Sequence, residues 1–333
     1  MKQYKIYSRL KRFSHESSLT LKLGLPVIIA HLLQTLMQFV DTIMAGHVSS
    51  HDLAGLAIAT ALYHPVFLLM LGILISLGSI IAQLFGAGNR QEIVRNVIQG
   101  LWLSLVLAFI SILIIANLEP VLNKMGYEQE VIRVASDYLK ALCWGMPAVY
   151  AFVVLRMFSE GLSITRPAMY FTLLGLGVNI VSNYALIFGH FGFPALGAVG
   201  AGWTTSMVHW VMFCAMLVFC MKASMFESYR KFIAFTRPSW LYLHEILRIG
   251  IPNGFGIAAE VGLFAMVSLL MGTFGVTAIA GHQVAINIAS VTFMLPMGLS
   301  FAISIRVGQA KGRGDYVATR FTGYAGIILC ILI

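Results

Sequence analysis

Charge is scarce in this sequence. Asp, Glu, Lys and Arg make up 11% of its 333 residues, and only 13 residues are acidic. So little charge cannot cover the surface of a water-soluble domain of this size, which excludes a soluble globular fold. Cysteine is scarce too. Cys143, Cys214, Cys220 and Cys330 fall in apolar runs with no CxxC spacing, which leaves them as packing residues rather than disulfides or metal ligands. GxxxxGK[ST], GxSxG and HExxH are all missing, so nothing in the chain points to an enzyme, a cofactor or a nucleotide-driven cycle. His64, His209 and His282 lack metal-ligand spacing, and each reads as a core or interfacial residue. The glycines of GAVGAG (197–202) suit close helix packing, not phosphate binding.

What fills the chain is apolar residue, 59% of the total. The runs exceed the roughly 18 residues that mark a spanning helix and lack the alternation of outer-membrane strands. The fold class is therefore an all-α polytopic membrane protein. Helices are expected at about 20–46, 53–85, 97–118, 132–158, 168–189, 195–221, 246–272 and 277–305, with a ninth from about 317. The first run is too long for a signal peptide and is read as a retained helix. Basic residues follow an alternation: 19 of the 22 Lys and Arg fall in the N-tail and every second loop. This asymmetry excludes nucleic acid as the reason for the +9 charge. It places the N-terminus in the cytoplasm and the protein in the inner (cytoplasmic) membrane.

Shifted by 226 residues without gaps, the chain matches itself. Gly24 and Pro26 meet Gly250 and Pro252; Ala54-Gly55 meets Ala280-Gly281; Gln83, Gly86 and Gly88 meet Gln309, Gly312 and Gly314. The first unit holds six helices, so both units enter the membrane in one direction and the repeat is parallel. Two pseudo-symmetric six-helix lobes follow, the second incomplete. The expected divisions are 1–221 (first lobe, six helices), 222–244 (cytoplasmic linker, solvated or near headgroups) and 245–333 (part of the second lobe). A truncated product or fragment is the simpler reading, a native nine-helix protein the other. Truncation predicts a compact first lobe, a splayed second lobe, low stability and no activity from this chain alone.

Two acids lie inside apolar runs: Asp41 in helix 1 and Glu260 in helix 7. Such a charge is costly unless it faces a bundle interior or wet cavity, and it can hold either a proton or a cation. His31, Gln34, Gln38 and Asp41 are spaced 3, 4 and 3, one helical stripe. The stripe forms either the polar wall of a cavity or interhelical hydrogen bonds for assembly. Asn179 and Asn183, with Thr205, supply oxygen donors for a pocket around Asp41. Asn253 shares a face with Glu260, and Gln283 pairs with Asn287 at i, i+4. Under the repeat, Glu260 corresponds to Gln34 and Asp41 to Val267, so each lobe has its own polar centre. Pro26 is a candidate hinge, coupling protonation of the acid to bending, or a static kink.

VDTIMAG around Asp41, QLFGAGNRQEI, GLSITRPAM, GAVGAGWTT, GHQVAIN and ISIRVGQAKGRGD together resemble the MATE family of multidrug and toxic-compound extrusion transporters, in its NorM-like branch. The resemblance implies twelve helices in two lobes and antiport of organic cations and drugs against sodium or protons. It implies coupling at Asp41 and Glu260, with sodium possible at Glu260, and matches Asn179 and Asn183 to the family's helix 5 positions; Gln34, Gln38, Thr205, Asn253, Gln283 and Asn287 join the expected cavity on the reading of the residues above. It implies small-molecule partners, the bilayer and a monomer. Alternatives are a lipid-linked oligosaccharide flippase, which needs a basic cavity, and an ion channel, which the two asymmetric polar centres argue against.

Overall fold

The computed structural model describes residues 2–124, 128–233, 236–272 and 276–332. Its side chains are described in these ranges apart from 2–12, 265, 268–269, 272, 276–284 and 287–288. Among the described residues the regular structure is all helical. The first five helices are α1 (Lys2–Gly46), α2 (Ser50–Gly86), α3 (Arg90–Ala116), α4 (Glu119–Lys124) and α5 (Gln129–Cys143). The other seven are α6 (Met146–Gly161), α7 (Arg166–Phe188), α8 (Ala198–Lys222), α9 (Glu227–Arg230), α10 (Trp240–Gly272), α11 (Val276–Gly312) and α12 (Tyr316–Leu332). Six described helices are long and apolar enough to cross a membrane, seven if α5 and α6 form one bent span.

The repeat is written in the helix boundaries. Adding 226 to the ends of α2, 50 and 86, gives 276 and 312, the ends of α11. The turns after these helices carry Gly88 and Gly314, also 226 apart, both at φ +75, a left-handed conformation that favours glycine.

Helix 4 of the sequence reading is broken. α5 and α6 meet at Trp144-Gly145 with a bend of 47°, and Pro147 opens the first turn of α6. The break frees backbone carbonyls inside the bundle, and side chains of α8 satisfy them. Ser206 Oγ donates to the Ala141 carbonyl at 2.6 Å, and Trp210 Nε1 donates to the Trp144 carbonyl at 2.9 Å. Irregular backbone at membrane depth survives only with such partners.

α2 is the hub, touching α1, α3, α5, α6 and α8 on one side and α10 and α11 on the other. Leu74, Leu77 and Ile81 on α2 are fully buried. Along the seam with α10 and α11, small residues let backbones touch. A Cβ on Gly250 would stand 2.6 Å from the Ile73 carbonyl oxygen, and one on Gly72 would stand 2.5 Å from the Gly254 Cα. Ser79 and Ser304 share a hydrogen bond at 3.0 Å, and Gln309 Nε2 donates to the Gly161 carbonyl at 2.9 Å. Glu16 of α1 pairs with Arg306 of α11. The seam is closed where a splayed second lobe was expected, because glycines on both sides remove the spacing that side chains would impose.

The linker leaves Lys222, Glu227 and Lys231 exposed and docks through its aromatics. Phe226 and Tyr229 are buried against Phe158. Gln99 on α3 donates to the Arg237 carbonyl at 3.0 Å and accepts the Ser239 N–H at 2.8 Å. Three residues apart, the two linker aromatics share one face, and that face docks.

Candidate functional site

A cavity of about 520 Å³ lies within the first bundle, between α1, α2, α5, α6, α7 and α8, with α11 closing one side. Its size suits a drug-sized molecule. The stripe on α1 forms one wall: His31, Gln34, Gln38 and Asp41 all line it. Apolar surface dominates elsewhere, with Tyr63, Phe67 and Phe152 from α2 and α6 and Met294, Met297 and Phe301 from α11.

Asp41 is half-buried and held by amides. Asn179 Nδ2 donates to its Oδ1 at 2.9 Å and Asn183 Nδ2 to the same oxygen at 2.6 Å. The second proton of Asn183 goes to Asn179 Oδ1 at 3.3 Å, which fixes both amides with their NH₂ groups toward the acid. Thr205 Oγ1 stands 3.4 Å from Asp41 Oδ2 but 2.9 Å from the Ala201 carbonyl. It has one proton, and the shorter contact takes it. Oδ2 is therefore the weakly held oxygen. No Lys, Arg or His lies within ion-pair distance of Asp41 among the described residues. Its charge is solvated by dipoles and balanced by nothing. Asn183 and Thr204 are fully buried, and Asn183 Oδ1 and Thr204 Oγ1 have no partner among the described residues. Asn183 stands behind the cavity wall, whereas Asn179 and Thr205 line it.

A second polar cluster stands about three turns away along α1. Arg156 and Glu160, adjacent turns of α6, form an ion pair with Nε donating to Oε1 at 2.6 Å; their side chains are 7% and 1% exposed. Arg156 Nη2 donates to His31 Nε2 at 3.2 Å. Because arginine only donates, His31 accepts there and carries its proton on Nδ1. His31 also stacks on Phe301 of α11, centroids 5.5 Å apart. Glu160 was missed in the sequence. An acid four residues after an arginine inside an apolar run was the available signal.

Glu260 and Asn253 stand apart from this cavity. Glu260 is exposed on α10, and Asn253 reaches across the seam to donate to the Gly72 carbonyl at 2.7 Å. Sharing a helical face, the argument that joined them, does not say what the face meets. The side chains of Gln283 and Asn287 lie outside the described residues. Pro26 is buried and α1 continues through it. His64 and His209, read as core residues, both line the cavity. No group of three or more His, Cys, Asp or Glu that could hold a metal occurs among the described residues.

Comparison with known proteins agrees with the geometry. The chain matches the MatE family over residues 26–185 and 252–333, two stretches that begin 226 residues apart. It is 39% identical over 325 residues to "Multidrug resistance protein MdtK" of Yersinia pseudotuberculosis serotype O:1b (strain IP 31758), covering 97% of this chain and 71% of that protein. It is 40% identical over 321 residues to the MdtK of Photorhabdus laumondii, covering 96% and 70%. Among solved structures it resembles the eukaryotic MATE transporter AtDTX14 (TM-score 0.85, 20% identity, 95% of this chain and 70% of that one). It also resembles an outward-facing multidrug resistance MATE transporter of the MOP superfamily (TM-score 0.84, 20% identity, 94% and 69%). At such identity these structures speak for the fold.

Proposed function

Because the chain belongs to the MatE family, a family of membrane transporters, we propose that it is a secondary multidrug antiporter that expels organic cations in exchange for protons. The observation that carries this reading is Asp41, an acid in a drug-sized, largely apolar cavity with no basic partner among the described residues. Such a carboxylate binds a proton or an organic cation, and each lowers the affinity for the other, which is the requirement for exchange.

The proton is favoured over sodium at Asp41 by the amide orientation. Both NH₂ groups point at the carboxylate, and the oxygens a sodium ion would need point elsewhere. When Asp41 takes a proton, its new O–H needs an acceptor. The Thr205 hydroxyl, whose own proton goes to the Ala201 carbonyl, stands 3.4 Å from Oδ2 and offers one. Protonation then rearranges the cage and releases the cation. Each proton entering contributes about 2.3 kcal/mol per 100 mV of membrane potential. Glu260 remains a second candidate coupling site, for sodium. Asn253, Gln283 and Asn287 are candidate polar groups of the second lobe, and Pro26 is the candidate hinge of α1. The protein acts as a monomer in the cytoplasmic membrane with its N-terminus inside, taking no cofactor, catalysing no chemical conversion and binding no nucleic acid.

A lipid-linked sugar flippase would need a basic cavity. Here Arg156 is the sole Lys or Arg among the described lining residues, and Glu160 pairs with it. The test is ethidium efflux from cells at fixed external pH, with and without a sodium gradient. The proton reading expects efflux that an uncoupler collapses and that sodium does not change. Sodium-dependent efflux that survives the uncoupler would transfer the coupling away from this site.

A further inference from the structure

A groove of about 680 Å³ lies between α7 and α8, apart from the cavity that holds Asp41. Phe171, Ala215, Val218 and Phe219 line it, and so does Lys222. Val218 and Lys222 are exposed, so the groove opens away from the bundle. Both of its walls are helices long and apolar enough to span a membrane, so what it opens to is lipid. Phe171 and Phe219 meet edge to face with centroids 5.7 Å apart, which fixes its shape. Apolar lining of this kind suits an acyl chain.

One end of the groove is positively charged. Lys222 lies in the last turn of α8, on the side that the basic-residue asymmetry assigns to the cytoplasm. A lysine so placed lays its stem along apolar surface and carries its ammonium to the headgroup layer. α7 runs antiparallel to α8, and Gly175 of α7 packs against Met212 of α8. Moving from 175 to 166 on one helix and from 212 to 221 on the other brings Arg166 level with Met221, next to Lys222. Arg166 and Lys222 are both exposed, and neither forms an ion pair among the described residues. Arg230 adds a third cation, donating to the carbonyls of Met221 and Ala223, and Ala223 also lines the groove. A furrow covered by whatever lipid passes needs no cations at its end, and cations that only set topology need no groove. Side by side, they match a ligand with an apolar chain and an anionic head. We propose that this groove is a binding site for an anionic phospholipid of the cytoplasmic leaflet, with one acyl chain between α7 and α8 and the phosphate held by Lys222 and Arg166. The site is independent of the antiport reading, because it lies on the outer face of the bundle and not in the cavity.

Native mass spectrometry of the purified chain, titrated with one phospholipid at a time, measures the affinity for the first lipid retained. The wild type should hold phosphatidylglycerol on the order of tenfold more tightly than phosphatidylcholine of the same chains. In the Arg166→Gln, Lys222→Gln double variant, which changes only exposed side chains, that preference should fall close to unity. The Lys311→Gln, Arg313→Gln variant removes two exposed charges elsewhere on the same side and should keep it. Equal wild-type affinity for the two lipids overturns the proposal. So does a preference that survives loss of Arg166 and Lys222, or one that both double variants lose alike, since net charge alone would then attract the lipid. Ala215→Phe fills the groove and should weaken binding of both lipids; unchanged affinity in the folded variant overturns the placing of the chain. Should that variant fail to fold, inorganic phosphate added to the wild type decides. Phosphate at millimolar concentration should leave phosphatidylglycerol bound, because it has no chain to seat, and displacement of the lipid would make this a site for a free anion and overturn the proposal.

Discussion

Asp41 draws its place in the molecule from two amides on α7, and each contributes differently. Asn183 is fully buried and makes the shorter bond, 2.6 Å against 2.9 Å for Asn179. A hydrogen bond to a charged group is worth about 1.5–3 kcal/mol. Asn183→Ala should therefore slow ethidium efflux by on the order of tenfold, measured as the initial rate in cells with equal protein levels. Asp52 shows the same chemistry in a structural role. It accepts the Ala198 N–H at the start of α8 at 2.6 Å and the Ser49 hydroxyl at 2.5 Å, so it ties two helix N-termini together. Asp52→Ala should lower stability by about 1–3 kcal/mol, seen as a fall in melting temperature in detergent, with little change in dye affinity. Spacing on α1 and α7 was enough to name Asp41, Asn179 and Asn183 from the sequence, and the hydroxyls of α8 brought in Thr205, because a charge in an apolar run must find partners. The same rule would have named Glu160 beside Arg156. It could not tell that Asn253 faces the seam, because helical phase is relative and only packing fixes its direction.

The long helices were legible at the element scale, because lipid allows only apolar runs and leaves periodicity little to decide. Bounds were less so. α1 begins at Lys2, some eighteen residues before the apolar run, and α3 begins at Arg90 rather than at about 97. Their polar first turns lie outside the apolar stretch that marked them. The break between α5 and α6 had its signal in Trp144-Gly145-Met146-Pro147, a glycine and a proline that punctuate a helix. The sequence could not show which side chains of α8 would repair it. The seam depends on glycines whose role is plain only with both helices in view. Gly72→Leu puts a branched side chain where even a Cβ would stand 2.5 Å from the Gly254 Cα. Overpacking of this kind costs about 1–3 kcal/mol, so the variant should melt a few degrees lower and lose efflux out of proportion to its protein level.

Taken whole, the molecule is two sets of helices that meet along α1 and α2. The first encloses the cavity and the second seals one of its sides through α11. For the cavity to be reached alternately from each face, this seam must open and close. Ser79 and Ser304 stand across it with their hydroxyls 3.0 Å apart. In the Ser79→Cys, Ser304→Cys variant, a short bifunctional thiol reagent should stop ethidium efflux while leaving dye binding intact. A variant with only one of the two serines replaced should keep its efflux under the same treatment. The gapless 226-residue repeat made this arrangement legible in outline, since it pairs α10 with α1 and α11 with α2. How tightly the two sets close was not legible, because the close approach is set by backbone meeting backbone at glycines.

The central claim is that Asp41 exchanges an organic cation for a proton. It is tested most directly by reconstituting the wild-type chain and Asp41→Asn into liposomes and imposing a pH gradient, with ethidium movement followed by fluorescence. The account predicts gradient-driven transport by the wild type that vanishes in Asp41→Asn, although the variant reconstitutes and melts like the wild type. Transport by Asp41→Asn at the wild-type rate, or wild-type transport indifferent to the gradient, would contradict it.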